Sequence, residues 1–361
     1  MKSSTIVVLL LLALNVMFCP WSMVQAQGLK DYYDDFLIGV ALGRNFAMDE
    51  QVVKLVKQHF NSVTPENEMK WEVIHPKPDQ YAFEKMDALV EFARQNNLKV
   101  IGHTLTWHSQ TPRWVFENQD GSPLNREALL ARMQEHIQTV LTHYKGKIWG
   151  YDVVNEALVD PSGESEEILR DSPYRKIIGD DFIEHSFRFA READPDAELY
   201  YNDYNMANPQ KRDNAVKLLQ GLLAKGTPID GVGLQGHWNI YDPSIEDIEA
   251  AIIAYHNLGL KVMVTELDVS LYKFDDHRNL YPESVPDSML AVQAERYAAL
   301  FTLFQKHHDK ITRITFWGPT DRYSWLNNFP ARGRANYPML FDRQGAPKPA
   351  YDAVIRLREK E

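Results

Sequence analysis

At 361 residues, with 44% hydrophobic and 25% charged side chains, the chain is long enough to bury one large core without covalent staples. A formal charge of -11 argues against electrostatic capture of nucleic acid, whose phosphates call for an excess of Lys and Arg. The single cysteine, Cys19, excludes an internal disulfide and a zinc-thiolate centre.

The chain opens with one cation, Lys2, then an apolar run from Ile6 to Phe18 and small-residue cleavage chemistry at Val24-Gln25-Ala26. That order reads as a secretory signal over residues 1–26, with an extracellular or periplasmic destination. The apolar run is shorter than the roughly 20 residues a spanning helix needs, so no membrane association is expected after cleavage. Lipidation at Cys19 is disfavoured by the bulky Phe18 before it. Cleavage after Ala26 removes Lys2 and the only thiol, which leaves a cysteine nucleophile without a candidate.

Residues 27–361 contain no Pro/Ser-rich linker and read as one catalytic domain, with no separate carbohydrate-binding module and a monomeric state expected. Short apolar runs at 38–43, 62–66, 99–106, 148–155, 198–202, 231–236, 261–266 and 313–317 predict eight strands. Between them lie helical patterns. Leu130, Met133, Ile137, Val140, Leu141 and Tyr144 form a stripe within 126–144, and Ala215, Leu218, Leu219 and Leu222 form another within 214–223. Near-continuous apolar strands such as KVMVTE fit parallel strands covered on both faces. The fold class expected is therefore α/β, a single (β/α)8 TIM barrel. An open doubly wound sheet is the alternative, but the glycines of IGVALGRN have the wrong spacing for a phosphate loop, so Gly39 and Gly43 read as packing and turn residues.

A barrel builds its site at the carboxyl ends of its strands. The last seven runs end in PENEMKW, GHTLTWHSQTPRW, DVVNEA, YNDYN, GLQGHW, TELDV and FWGPTDRYSW, all rich in chemistry-bearing side chains. Glu156 and Glu266 close runs four and seven, across a common mouth from one another. Paired carboxylates facing a cleft are the apparatus of glycoside hydrolysis, in which one group stays protonated and the other ionised. A lone strand-end Glu would more often be a surface ion-pair partner, and it is the pairing that changes the reading.

Trp71, Trp107, Trp114, Trp238, Trp317 and Trp325 all lie in these segments, and flat aromatic faces stack on pyranose rings. Trp71 and Trp149 read as space-filling, whereas Trp317 and Trp325 read as surfaces for sugar. Asp268, two residues past Glu266, is expected on the same face by strand alternation, so a Glu266–His237–Asp268 chain would hold the nucleophile charged. His103 and His108 offer a rival metal reading, but no HExxH or comparable spacing is present, so neither metal nor organic cofactor is expected.

In order along the chain, ENEMKW, GHTLTWHSQTP, DVVNEA, YNDYN, GLQGH, TELDV and WGPTDRYSW resemble glycoside hydrolase family 10, whose members are mainly endo-β-1,4-xylanases. The resemblance implies that Glu156 is the acid/base, Glu266 the nucleophile of a retaining mechanism, and xylan and xylo-oligosaccharides the partners. It further implies that Asn155 grips the 2-hydroxyl of the attacked sugar. Glu66, Asn67, Lys70, His103 and Trp107 would line the glycone subsites, with Gln110 nearby. Trp317 and Trp325 would pack around the sugar beside the scissile bond, His237 and Asp268 would orient Glu266, and Gln235 and Tyr204 would contact substrate or catalytic groups.

Two features depart from the commonest pattern, Pro319 and the loop NNFPARGRANYP over 327–338. Arg332 and Arg334 in that loop could meet acidic branches on the polymer, although a solvated loop is the reading slightly preferred. A cellulase or mannanase on the same barrel and a sugar-binding protein without chemistry remain as rivals.

Overall fold

The computed structural model describes residues 27–161 and 167–359, so the expected signal in residues 1–26 lies outside the described residues. Eight parallel strands, β1 (Leu37–Leu42), β2 (Ser62–Pro65), β3 (Lys99–Trp107), β4 (Gly150–Asn155), β5 (Glu198–Asp203), β6 (Gly231–Asn239), β7 (Lys261–Ser270) and β8 (Ile311–Phe316), close in chain order into a barrel. Closure runs through the β1–β8 register from Leu37↔Arg313 to Val40↔Phe316.

Helices Glu50–His59, Glu84–Gln95, Arg126–Tyr144, Phe182–Ala193, Pro209–Ala224, Ile245–His256, Asp287–Lys306 and Pro349–Arg358 follow the strands in turn. Several begin where the sequence supplies a cap. Asp49 accepts from the Gln51 and Val52 amides, Asn125 from Ala128 and Ser244 from Asp247, while Asn208 caps a helix whose first turn carries Pro209. Each helix then lays an apolar stripe on the sheet. In Phe182–Ala193 the buried apolar side chains are Phe182, Ile183, Phe187 and Ala190, at helical spacing. Burying a side chain such as Phe187 contributes about 1.5–3 kcal/mol, and the closed outer core repeats this around the whole barrel. A separate buried cluster of Ile101, Tyr200 and Met263 fills the interior, with the Arg313 guanidinium 5.3 Å from the Tyr200 ring centroid.

All eight expected strands are present, their ends displaced by up to four residues. β4 starts at Gly150, and Trp149 just before it is 44% exposed under the Lys99 ammonium, so it is not the space-filler expected. Strands β6 and β7 run on past their expected ends. Pairing resumes at His237↔Asp268 after a shift that gives β7 one residue more than β6.

The glycine reading holds on local grounds. A Cβ on Gly39 would sit 2.6 Å from Ser62 Oγ, and one on Gly43 would sit 2.8 Å from Glu66 Oε2, so Gly43 clears space for a carboxylate at the mouth.

Candidate active site

The residues at the carboxyl ends of the strands converge on two glutamates. Glu156 follows β4 and Glu266 lies within β7, and both have left-handed backbones, φ 56° and 57°. Such a conformation is unfavourable for a residue with a Cβ and persists only where surrounding contacts impose it. At Glu156 those contacts are backbone ones: its amide donates to Asn202 O at 2.9 Å and its carbonyl accepts from Arg170 Nε at 3.2 Å. At Glu266 the extra β7 residue turns Thr265 and Glu266 to the same partner. Thr265 Oγ1 donates to Asn202 Oδ1 at 2.6 Å, and Asn202 Nδ2 donates to Glu266 Oε1 at 2.8 Å.

Simple alternation therefore does not place Glu266. The irregularity does, and His237 then reaches both acids, with Nε2 3.0 Å from Glu266 Oε2 and Nδ1 2.8 Å from Asp268 Oδ2.

An amide relay joins the two carboxylates. Gln235 Nε2 donates to Glu156 Oε1 and to Asn155 Oδ1, each at 3.1 Å. Asn155 Oδ1 also accepts from Asn202 Nδ2 at 2.9 Å, the group that serves Glu266.

Their electrostatic settings are opposed. Burial pushes the Glu156 carboxyl above the usual range, and the negative charges of Asp203 and Glu266 add to that. Glu266, only 5% exposed, feels a desolvation cost too, but the hydrogen bond from His237, with the His103 and His237 rings and the Asn202 amide beside it, outweighs that cost and holds its pKa below the usual value. His237 suffers the same burial. Asp268 and Glu266 overcome it and lift the imidazole to about 10, so it is cationic at neutral pH.

The expected flanking residues gather at the same mouth. Lys70 Nζ donates to Asn67 Oδ1 at 3.0 Å and to Gln110 Oε1 at 2.8 Å, and lies 5.0 Å from the Trp107 ring centroid. Burial lowers the Lys70 pKa and raises that of Glu66. Trp107 is nearer the chemistry than a remote subsite, since its Nε1 donates to Glu156 Oε2 at 2.9 Å. His103 is 2% exposed, bound through Nδ1 to Asp152 Oδ2 at 3.0 Å, with Trp317 edge-on to it at 5.3 Å. Trp317 is only 7% exposed, so it is a wall and not an open platform. Trp325 is half-buried and donates from Nε1 to Asp268 Oδ2 at 2.9 Å.

The remaining residues divide between the mouth and the core. Tyr204 bonds Arg170 Nη2 at 2.7 Å, so it meets Glu156 through that arginine and not directly. Trp71 is a core residue as expected, stacked on His136 at 3.8 Å. Trp238 packs on Phe304 and is buried away from the cleft. Arg334 is 2% exposed, its guanidinium 4.4 Å from the Tyr272 ring centroid and donating to Asp276 O, which removes it as a contact for polymer branches. Arg332 is exposed.

Sequence reasoning missed Asn202, Asp152 and Arg170. The first two stand inside motifs already singled out, YNDYN and DVVNEA, whereas Arg170 follows in a loop without pattern. Among the described residues no group of three His, Cys, Asp or Glu side chains is arranged to hold a metal ion.

A (β/α)8 barrel with two strand-end carboxylates in opposed environments defines a glycoside hydrolase as a class. Residues 28–357 match the profile of glycosyl hydrolase family 10. Endo-1,4-beta-xylanase A of Caldicellulosiruptor saccharolyticus is 45% identical over 330 residues, 91% of this chain and 94% of that protein. An endo-1,4-beta-xylanase of Geobacillus stearothermophilus is 44% identical over 90% of this chain and 97% of its own length. Among solved structures, xylanase XynB from Paenibacillus barcinonensis superposes with a TM-score of 0.88 at 41% identity, covering 92% of this chain and 99% of that one. The chain belongs to glycosyl hydrolase family 10.

Proposed function

We propose that the protein is a secreted endo-1,4-β-xylanase that cleaves internal β-1,4-xylosidic bonds with retention of anomeric configuration. The observation that carries this reading is the opposed electrostatic settings of two glutamates tied to one amide relay.

Glu156, kept protonated by burial, gives its proton to the glycosidic oxygen as the C1–O bond breaks. Glu266, kept ionised by His237, bonds to C1 and forms a glycosyl ester. Glu156, now a carboxylate, takes a proton from water, whose oxygen attacks C1 and returns Glu266 to its charged form. Direct attack in the first step calls for carboxyl groups about 5–5.5 Å apart. Asn155, fixed by Gln235 and Asn202, is placed to hold the 2-hydroxyl of the attacked sugar. Glu66, Asn67, Lys70 and Gln110 supply fixed polar partners to glycone hydroxyls, and Trp317 walls that end against a C6 hydroxymethyl, which favours xylose over glucose or mannose. Both substrate and site work with one copy of the chain, and residues 1–26 serve export.

Reducing-sugar release from xylan tests the assignment. The wild-type chain releases sugar with the β-anomer formed first by proton NMR, is slower on carboxymethylcellulose and galactomannan, and Glu266→Gln is silent. Equal release by both proteins, or an α-anomer first, would overturn it.

A further inference from the structure

Two large aromatic side chains outside the machinery just described stand exposed beside it. Phe274 is 56% and Phe329 is 50% exposed, and they come from different loops, after β7 and after β8. Their ring centroids are 5.8 Å apart.

The backbone that presents them is fixed. Arg334, buried in the second loop, stacks on Tyr272 and donates to Asp276 O in the first. Tyr337 Oη donates to Tyr281 O at 2.9 Å, and Gln293 Nε2 ties Val269 O and Tyr337 O together at 2.8 and 2.7 Å. The segments 271–286 and 327–338 thus form one braced unit, and an arginine that reads from sequence as part of a solvated loop is the brace.

The aromatic pair continues the site. Trp325, held by Asp268, has its ring centroid 4.8 Å from that of His237. Phe329 lies nearly parallel to Trp325 at 5.3 Å and 19°, and Phe274 follows. A neutral polysaccharide offers ring faces lined with C–H groups, and an uncharged aromatic surface contiguous with the cleft matches that chemistry, whereas isolated exposed rings would serve no such end. We propose that Phe274 and Phe329 form an accessory platform that binds a xylosyl ring of the polymer beyond the sugars held in the cleft, a reading that rests on the proposed xylanase function.

The test compares long and short substrates. Phe274→Ala and Phe329→Ala each lower kcat/KM on xylohexaose and xylan by about three- to tenfold and leave it unchanged on an aryl β-xylobioside, while Phe274→Tyr keeps the long-chain rate. In the Glu266→Gln background the same alanine changes weaken xylohexaose binding by a similar factor and xylobiose binding not at all. Unchanged long-chain values, or equal losses on long and short substrates, would overturn the platform. A wild-type chain inactive on every xylo-oligosaccharide would instead remove the xylanase reading, and the platform with it.

Discussion

His237 sits between two acids, and its hydrogen bond is the largest of the interactions that hold the Glu266 pKa down against burial. Replacing it by alanine removes the largest opposition to the desolvation of Glu266 and leaves only His103 and Asn202 against it, so the Glu266 pKa rises. Activity that needs the ionised form is then lost at a higher pH on the acid side. The acid limb of the kcat/KM profile of His237→Ala is expected to move up while the alkaline limb, set by Glu156, stays in place, and an unmoved acid limb would contradict this. Asn202→Ala removes the donor shared by Glu266 and Asn155, a loss expected to lower kcat/KM on xylan by about 10- to 100-fold with the fold retained by circular dichroism. At this scale the sequence made Glu156, Glu266, His237 and Asp268 legible, because strand ends in a barrel face one mouth. It did not reveal the left-handed backbones of the two glutamates, which depend on contacts from β5 and from Arg170 that no local pattern encodes.

Strands and helices were readable because their hydrophobic periods are undisturbed, as in the stripe of Arg126–Tyr144, although the chain there buries Leu129 and leaves the neighbouring Leu130 partly exposed. What the period could not carry is the extra residue in β7, where Thr265 and Glu266 point to one partner and alternation breaks. Loops were the least legible elements. The 327–338 segment looked like a place for free arginines, yet Arg334 is buried across the neighbouring loop. Arg334→Ala leaves Asp276 O and the Tyr272 face without their partner, an expected cost of about 1–3 kcal/mol in denaturant titration, with faster proteolysis confined to residues 271–286. Proteolysis unchanged from wild type would separate the two loops.

Across the whole molecule, a buried ion pair stands behind Glu156, the proposed acid/base. Lys211 and Asp203 have no solvent exposure, their charges 3.0 Å apart, and Asp203 also accepts from the Leu158 amide and Tyr201 Oη. Removing only the cation in Lys211→Met leaves a buried charge uncompensated, so a loss of about 3–5 kcal/mol is expected in equilibrium unfolding, and a change under about 1 kcal/mol would show the pair to be dispensable. The barrel as a whole was foreseeable from eight apolar runs, since parallel strands covered on both faces tolerate little polarity. The electrostatic contrast between its two glutamates was not, since it arises from burial and from neighbours on different strands. That contrast assigns the nucleophile to Glu266, and covalent trapping probes the assignment. An activated 2-deoxy-2-fluoro-xylobioside should inactivate the enzyme, and mass spectrometry of the digest should place one added glycosyl group on Glu266. A label on Glu156, or turnover with no trapped ester, would contradict the assignment.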